Sequence, residues 1–384
     1  MDSELSSRSA HRISSIDIMQ GILMVIMALD HTRDYFHVSA FLFDPTDLTK
    51  TSPAIFFTRW VTHFCAPGFV FLSGTSIYLN LQRKSKTELS KFLVTRGLWL
   101  ILVDLVVMRF ALLFNFYYDV TIFGIIGVIG ACMMLMAALI YVQLKYLLII
   151  AVLIITVYPL VSLPVFTSVG FIQIMPGYGL VISYPILPWL AIMMGGYCLG
   201  IFYSTKNEAA QRSKSFLICG FMLIGVFILL RSLNIYGDSP WVKQETLLYT
   251  ILSFFNITKY PVSLLFALFT TGTVLVGVAV IERTRFLFSD MWMVFGRVPF
   301  FYFIVHFFLI HMVALLVSII RAGRPFNEVD FHFDKSFGGI VPGEGISLLW
   351  VCVIWIAVVV AMYPLCRAYD RYKRSHTHAW LSYL

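Results

Sequence analysis

The chain has 384 residues, of which 59% are hydrophobic and only 12% charged, and its mean hydropathy is +0.86. A soluble domain carries about twice that share of charge, so the composition excludes a soluble enzyme and points to an all-α, polytopic membrane helical bundle. The net charge of +8 is no nucleic-acid signature, because most Lys and Arg fall in alternate short loops, the distribution expected of a membrane protein.

Residues 1–15 form a polar, basic leader without the short apolar region and small-residue cleavage site of a removable signal, so the first apolar segment is expected to stay as an anchor. Apolar runs suited to crossing a bilayer follow at 16–36, 61–82, 92–114, 119–142, 145–163, 180–203, 215–235, 256–281, 292–320 and 346–368. About ten transmembrane helices therefore make one domain over 16–368, followed by a basic tail at 369–384. With ten spans both termini share a face. Sixteen of the 28 basic residues, from Arg8 and Arg12 to Arg374, lie on that face, against eight in the alternate loops, which predicts cytoplasmic termini. The longer loops, 37–60, 164–179, 236–255 and 321–345, then lie outside. The loop 164–179 is uncharged and rich in Pro, Gly and aromatic residues, as is its continuation Tyr184-Pro185-Ile186-Leu187-Pro188-Trp189, which suggests an irregular segment tucked into protein.

Asp30-His31-Thr32-Arg33-Asp34, near the far end of the first span, places four ionisable side chains at or near membrane depth. Such groups are costly unless they pair or face a polar cavity, which makes this the leading candidate site. Asp30 and Asp34 stack at i,i+4 and His31 meets Asp34 at i,i+3; a carboxylate beside an imidazole is how a general base is oriented. The alternating topology brings Arg59, His63, Lys259, His306 and His311 to the same outer half. A lone His on an apolar helix, as at His306, generally reads as a packing residue. The inner half carries Asp17, Gln20, Arg96, Asp104 and Arg297, and Gln20 shares a helix face with His31 about 16 Å away.

Phosphate-loop, G-x-S-x-G and H-E-x-x-H motifs are absent, which removes the sequence support for ATP-driven transport and for serine or zinc hydrolysis. The runs Gly124-x-x-Gly127-x-x-Gly130 and Gly195-Gly196-x-x-x-Gly200 read as close helix packing. The six cysteines lack metal or redox spacing and read as small packing residues. Three function classes remain from the residues alone: a membrane enzyme; a secondary transporter or exporter of a sugar or lipid-linked substrate, which would use the same buried charges; and a structural or sensory membrane protein in which the polar cluster is only packing.

Three groups of segments carry a resemblance. The first is Arg12-Ile-Ser-Ser-Ile-Asp17-Ile-Met-Gln-Gly21 with Asp30-His31-Thr-Arg33-Asp34-Tyr-Phe. The second is Thr58-Arg59-Trp60-x-Thr-His63-Phe-Cys-Ala-Pro67. The third comprises Arg96-Gly97-Leu-Trp99, Thr258-Lys259-Tyr260-Pro261 and Gly296-Arg297-Val-Pro299. Together, over roughly 11–375, the chain resembles the bacterial heparan-alpha-glucosaminide N-acetyltransferase-like membrane proteins. The resemblance implies transfer of an acetyl group from cytoplasmic acetyl-CoA to a hydroxyl or amine of a glycan-like or other small-molecule acceptor across a bacterial inner membrane. It implies a catalytic His, acting as general base or as a covalent acetyl carrier, membrane lipid as the surroundings, no metal, and leaves room for a homo-oligomer. On this reading His31, with Asp34 and Asp30, is catalytic; Arg33, Arg59, His63, Lys259 and His311 bind the acceptor; and Gln20, Arg96 and Arg297 face the CoA donor. The wider group, including type 3 acyltransferases, places an Arg or Lys eleven residues before its His, where this chain has Gln20.

Overall fold

Helix α1 (Ser14–Phe36) is the axis of the bundle. It packs against α2 (Pro53–Thr62), α3 (Cys65–Leu81), α11 (Leu264–Arg283), α12 (Ser289–Arg297), α13 (Pro299–Ala322) and α14 (Leu348–Ser375). Its apolar stretch is 78% buried inside the protein, against 17% for α14, which lies at the periphery. The remaining helices are α4 (Lys86–Val103), α5 (Arg109–Leu113), α6 (Ile125–Leu139), α7 (Leu144–Val157), α8 (Ile186–Leu199), α9 (Ala209–Leu233) and α10 (Leu247–Phe255). A π-helical turn, Asp104–Met108, joins α4 to α5. The computed structural model describes residues 14–160, 170–175, 177–204, 209–284, 287–323, 325–376, 378 and 381. Most of the leader, including Arg12, part of the loop 164–179, Lys206, Arg285, Arg324 and much of the extreme tail lie outside the described residues.

Local chemistry sets the helix ends. Ser85 accepts from the Glu88 amide at 3.3 Å while the Glu88 carboxylate accepts from the Ser85 amide at 2.9 Å, a reciprocal cap that starts α4. Ser52 caps α2 ahead of Pro53, whose missing N–H is harmless at a first helical position. Gly323 ends α13 at φ 60°, where a side chain would be strained.

Each of the ten predicted segments is helical over much of its length. Among the described residues, seven helices are by length and composition long and apolar enough to cross a membrane, where about ten spans were expected. The exceptions have visible causes. α4 carries Lys86, Glu88, Lys91 and Arg96 in 18 residues, and α6 and α7 with its 3-10 extension are shorter apolar helices. The fold is mostly helical, as expected, but it includes a small sheet. Val120–Phe123 (β1), Gly170–Met175 (β2) and Tyr178–Ile182 (β3) form a three-stranded sheet of order β1-β3-β2. β3 runs parallel to β1, with Val120 opposite Gly179, and antiparallel to β2. Strand β1 therefore delays the start of the predicted helix 119–142 to Ile125. The predicted loop 236–255 ends in α10, and the predicted helix 292–320 is two helices, with α13 starting anew at Pro299.

The end of the bundle at Ser14 is here the proximal end, and that at Phe36 the distal end. α13 runs in the same direction as α1, so Tyr35 meets His311 with ring centroids 4.7 Å apart.

The glycine-rich runs do serve close packing. Gly97 and Gly130 face each other across α4 and α6, and the α-carbon of Gly196 on α8 sits against the Phe71 carbonyl of α3. A methyl at Gly196 would collide with that carbonyl, whereas Gly195 faces open space. Gly196→Ala is expected to cost about 1–3 kcal/mol through overpacking, and Gly195→Ala to be neutral or slightly stabilising. Melting of the two variants in detergent checks this; equal melting would contradict the packing of α3 on α8.

Candidate functional site

The site is built where the distal part of α1 meets α2 and α13. Asp30 is buried, 7% exposed. Its Oδ1 accepts from Arg33 Nη2 at 2.6 Å and from the Thr62 hydroxyl at 3.0 Å, and its Oδ2 accepts from Arg59 Nη1 at 2.7 Å. Arg33 Nη2 also donates to Asp34 at 2.7 Å. One carboxylate thus ties α1 to α2 and forms ion pairs with two guanidinium groups, the pairing that charge inside a membrane demands.

His31 has a different partner from the one its spacing suggested. Its Nδ1 lies 2.7 Å from Nε2 of His306 on α13, not against Asp30, whose two oxygens are engaged by Arg33, Arg59 and Thr62, nor against Asp34, whose Oδ1 accepts from Arg33. The His31 ring is flanked by Phe307 at 4.0 Å and, edge-on, by Phe303 at 6.2 Å between centroids. His306 is fully buried, and its Nδ1 donates to the Tyr302 carbonyl at 2.8 Å.

Two cavities share His31 as a wall. The proximal one, about 130 Å³, follows α1 from Gln20 past Met24 and Met27 to His31 and is bordered by Arg96 and Lys259. The distal one, about 440 Å³, is walled by His31, Asp34, Arg59 and the aromatic rings of Phe41, Phe333 and Phe337. Asp30, His31, Ile125, Tyr184 and Phe303 border both. Chain from two long loops closes the distal cavity. The Val38 and Ile346 backbones bond the end of α1 to the segment before α14, and Asn115 donates to the Phe331 carbonyl at 2.6 Å.

Arg59, His63 and Lys259 line a further distal cavity of about 320 Å³, and Arg33 lines a neighbouring one of about 340 Å³ with Asp34, His37 and Arg59. The Lys259 ammonium lies 4.9 Å from the Tyr260 ring centre and 5.9 Å from that of Tyr184, and the two tyrosine hydroxyls are 2.9 Å apart. His37, past the end of α1, is hydrogen-bonded to Ser39 at 2.7 Å, and partial burial with the nearby Arg33 guanidinium lowers its pKa below the ordinary histidine value.

The structure therefore brings Asp30, His31, Arg33, Asp34, Arg59, His63 and Lys259 into one connected region, with Gln20 and Arg96 on the proximal cavity. It sets two residues of the expected set apart. His311 has both ring nitrogens 2.7 Å from carbonyls, of Ala111 and Gly338, so it fastens the chain before and after it and borders none of these cavities. Arg297 lies 3.7 Å from Asp17 and 3.7 Å from Asp370, clamping α12 to α1 and α14 rather than facing the proximal cavity. Sequence reasoning passed over Tyr184, Tyr260, Phe303 and Phe307 as site walls. The polar tip of Tyr184 within its Pro-rich run, and the Lys259-Tyr260-Pro261 turn, were the available signals.

A family model described as heparan-alpha-glucosaminide N-acetyltransferase, catalytic, matches residues 12–237. The matched segment holds Gln20, Asp30, His31, Arg59 and His63 and ends before Lys259 and His306. No curated protein matches the chain.

Removing one partner of a buried ion pair leaves a charge uncompensated. Asp30→Ala strands Arg33 and Arg59 and is expected to destabilise the protein by about 3–5 kcal/mol, seen as a lower melting temperature in lipid. Melting at the wild-type temperature would show that the carboxylate does not hold α1 to α2.

Proposed function

The chain belongs to the heparan-alpha-glucosaminide N-acetyltransferase family, and from that premise we propose that it is a multi-pass membrane acetyltransferase using cytoplasmic acetyl-CoA as donor. The acceptor we propose is a hydroxyl or amine of a glycan-like molecule on the outer side of a bacterial inner membrane. The observation that carries this reading is the place of His31 on the common wall of two cavities that extend toward opposite ends of α1. A donor thioester and an acceptor approaching from opposite faces would meet there. The excess of basic residues on the terminal face supports a cytoplasmic proximal end.

In this mechanism His31 takes the proton of the acceptor hydroxyl or amine as its oxygen or nitrogen attacks the thioester carbonyl. The tetrahedral intermediate then collapses, the C–S bond breaks, and the proton leaves with the CoA thiol. Lys259, which borders both the proximal cavity and the distal polar one, is placed to stabilise the oxyanion; Arg33 and Arg59 are already held by Asp30. Gln20 and Arg96 would flank the donor arm, and Arg59 and His63 the acceptor. A transporter would share the buried charges and the cavities but not the family.

Release of free CoA thiol from acetyl-CoA by the purified protein in lipid, across a panel of glycan acceptors, tests the proposal. His31→Ala is expected to lower acceptor-dependent release by about 10²–10⁴-fold with unchanged melting. Release within a few-fold of wild type in a folded His31→Ala protein would remove His31 from the chemistry.

A further inference from the structure

We propose that His306 is a positioning residue that fixes the tautomer of His31, leaving Nε2 of His31 as the bare lone pair that meets the acceptor proton. The inference rests on His31 acting as the base and goes beyond it to say how the base is set.

The donor order follows from one backbone oxygen. The Tyr302 carbonyl has no proton to give, so His306 Nδ1, 2.8 Å away, must be the donor. In the helix that carbonyl also receives the amide of His306, and its second lone pair takes the ring N–H. A neutral imidazole carries one N–H, so Nε2 of His306 is an acceptor. His31 Nδ1, 2.7 Å from it, must then donate, and Nε2 of His31 is left unprotonated. The rings meet nearly end to end, with centroids 5.0 Å apart and planes 29° apart, so the N–H points toward a lone pair that lies in the plane of the receiving ring. No competing acceptor intervenes: Asp30 and Asp34 are bound by guanidinium groups, and Phe303 and Phe307 flank the pair with carbon. The arrangement does for His31 what a buried carboxylate does in a catalytic triad, but without adding a negative charge at membrane depth.

The protons balance. The acceptor O–H or N–H bond breaks and its proton joins Nε2 of His31. The Nδ1 proton of His31 shifts onto, or toward, Nε2 of His306, and the pair carries one positive charge over two rings. On collapse of the intermediate the Nε2 proton passes to the leaving sulfur, the Nδ1 proton returns, and both rings are neutral again.

The test compares His306→Phe, which keeps an aromatic ring but offers no acceptor, with His306→Gln, whose amide oxygen can accept from His31. His306→Phe is expected to lower kcat by about 10²-fold with little change in KM for acetyl-CoA. His306→Gln is expected to recover most of kcat. Nitrogen NMR of histidine-labelled wild-type protein in lipid, with the His31 signals identified by their loss in His31→Ala, gives a readout that needs no folded His306 variant. An unprotonated Nε2 on His31 is expected, and a protonated Nε2 with bare Nδ1 would overturn the proposal. So would a folded His306→Phe protein with wild-type kcat while His31→Ala is inactive. Full turnover by His31→Ala would instead refute the reading of His31 as the base, and this inference with it.

Discussion

The carboxylate of Asp30 is the interaction on which the rest of the site depends. Two guanidinium groups at membrane depth are tolerable only when paired, and Asp30 meets both, Arg33 on its own helix at 2.6 Å and Arg59 on α2 at 2.7 Å. The pairing is also a register device. It sets which face of α1 turns toward α2, and in an α-helix the next residue is turned by about 100°. His31 is therefore directed away from α2 and toward α13, where His306 and the rings of Phe303 and Phe307 receive it. Charge neutralisation on one face and an uncharged imidazole pair on the other are two consequences of a single helix orientation.

That orientation is what the proposed function uses. α1 is the helix that touches most others, and its residues face voids both proximal and distal to His31. The membrane is normally a barrier to a charged acyl donor such as a CoA thioester. On the proposed reading, His31 on the wall between two cavities lets the acyl group change sides without the rest of the donor crossing. The ion pairs at the proximal end, Arg297 with Asp17 and Asp370, fix α12 and α14 to α1 below the proximal cavity. His311 fixes α5 and the loop before α14 through the Ala111 and Gly338 carbonyls. Residues that read from the sequence as ligand contacts thus hold the frame in which the reactive residues stand.

What the sequence disclosed follows the reach of its physical signals. The spans at 16–36 and 215–235 were legible because long apolar runs have few other uses. The Asp30–Asp34 cluster was legible because ionisable groups at that depth are costly. The sheet was not, since four to six apolar residues of strand cannot be told from helix by periodicity. Helical spacing brought His31 and Asp34 together, but spacing reports only neighbours on one helix, and Arg33 outcompetes an imidazole for that carboxylate. The true partner, His306, lies 275 residues away, and no local pattern encodes that contact. Depth alone grouped His311 with the site, and depth does not say which helix face a side chain takes.

The central claim is that the acyl group changes sides at His31. It is tested most directly with sealed proteoliposomes holding labelled acetyl-CoA on the proximal face of the protein and glycan acceptor only on the distal face. Labelled acceptor on the distal side of intact vesicles, absent with His31→Ala, is the expected result. Product formed only when donor and acceptor share one side would contradict it.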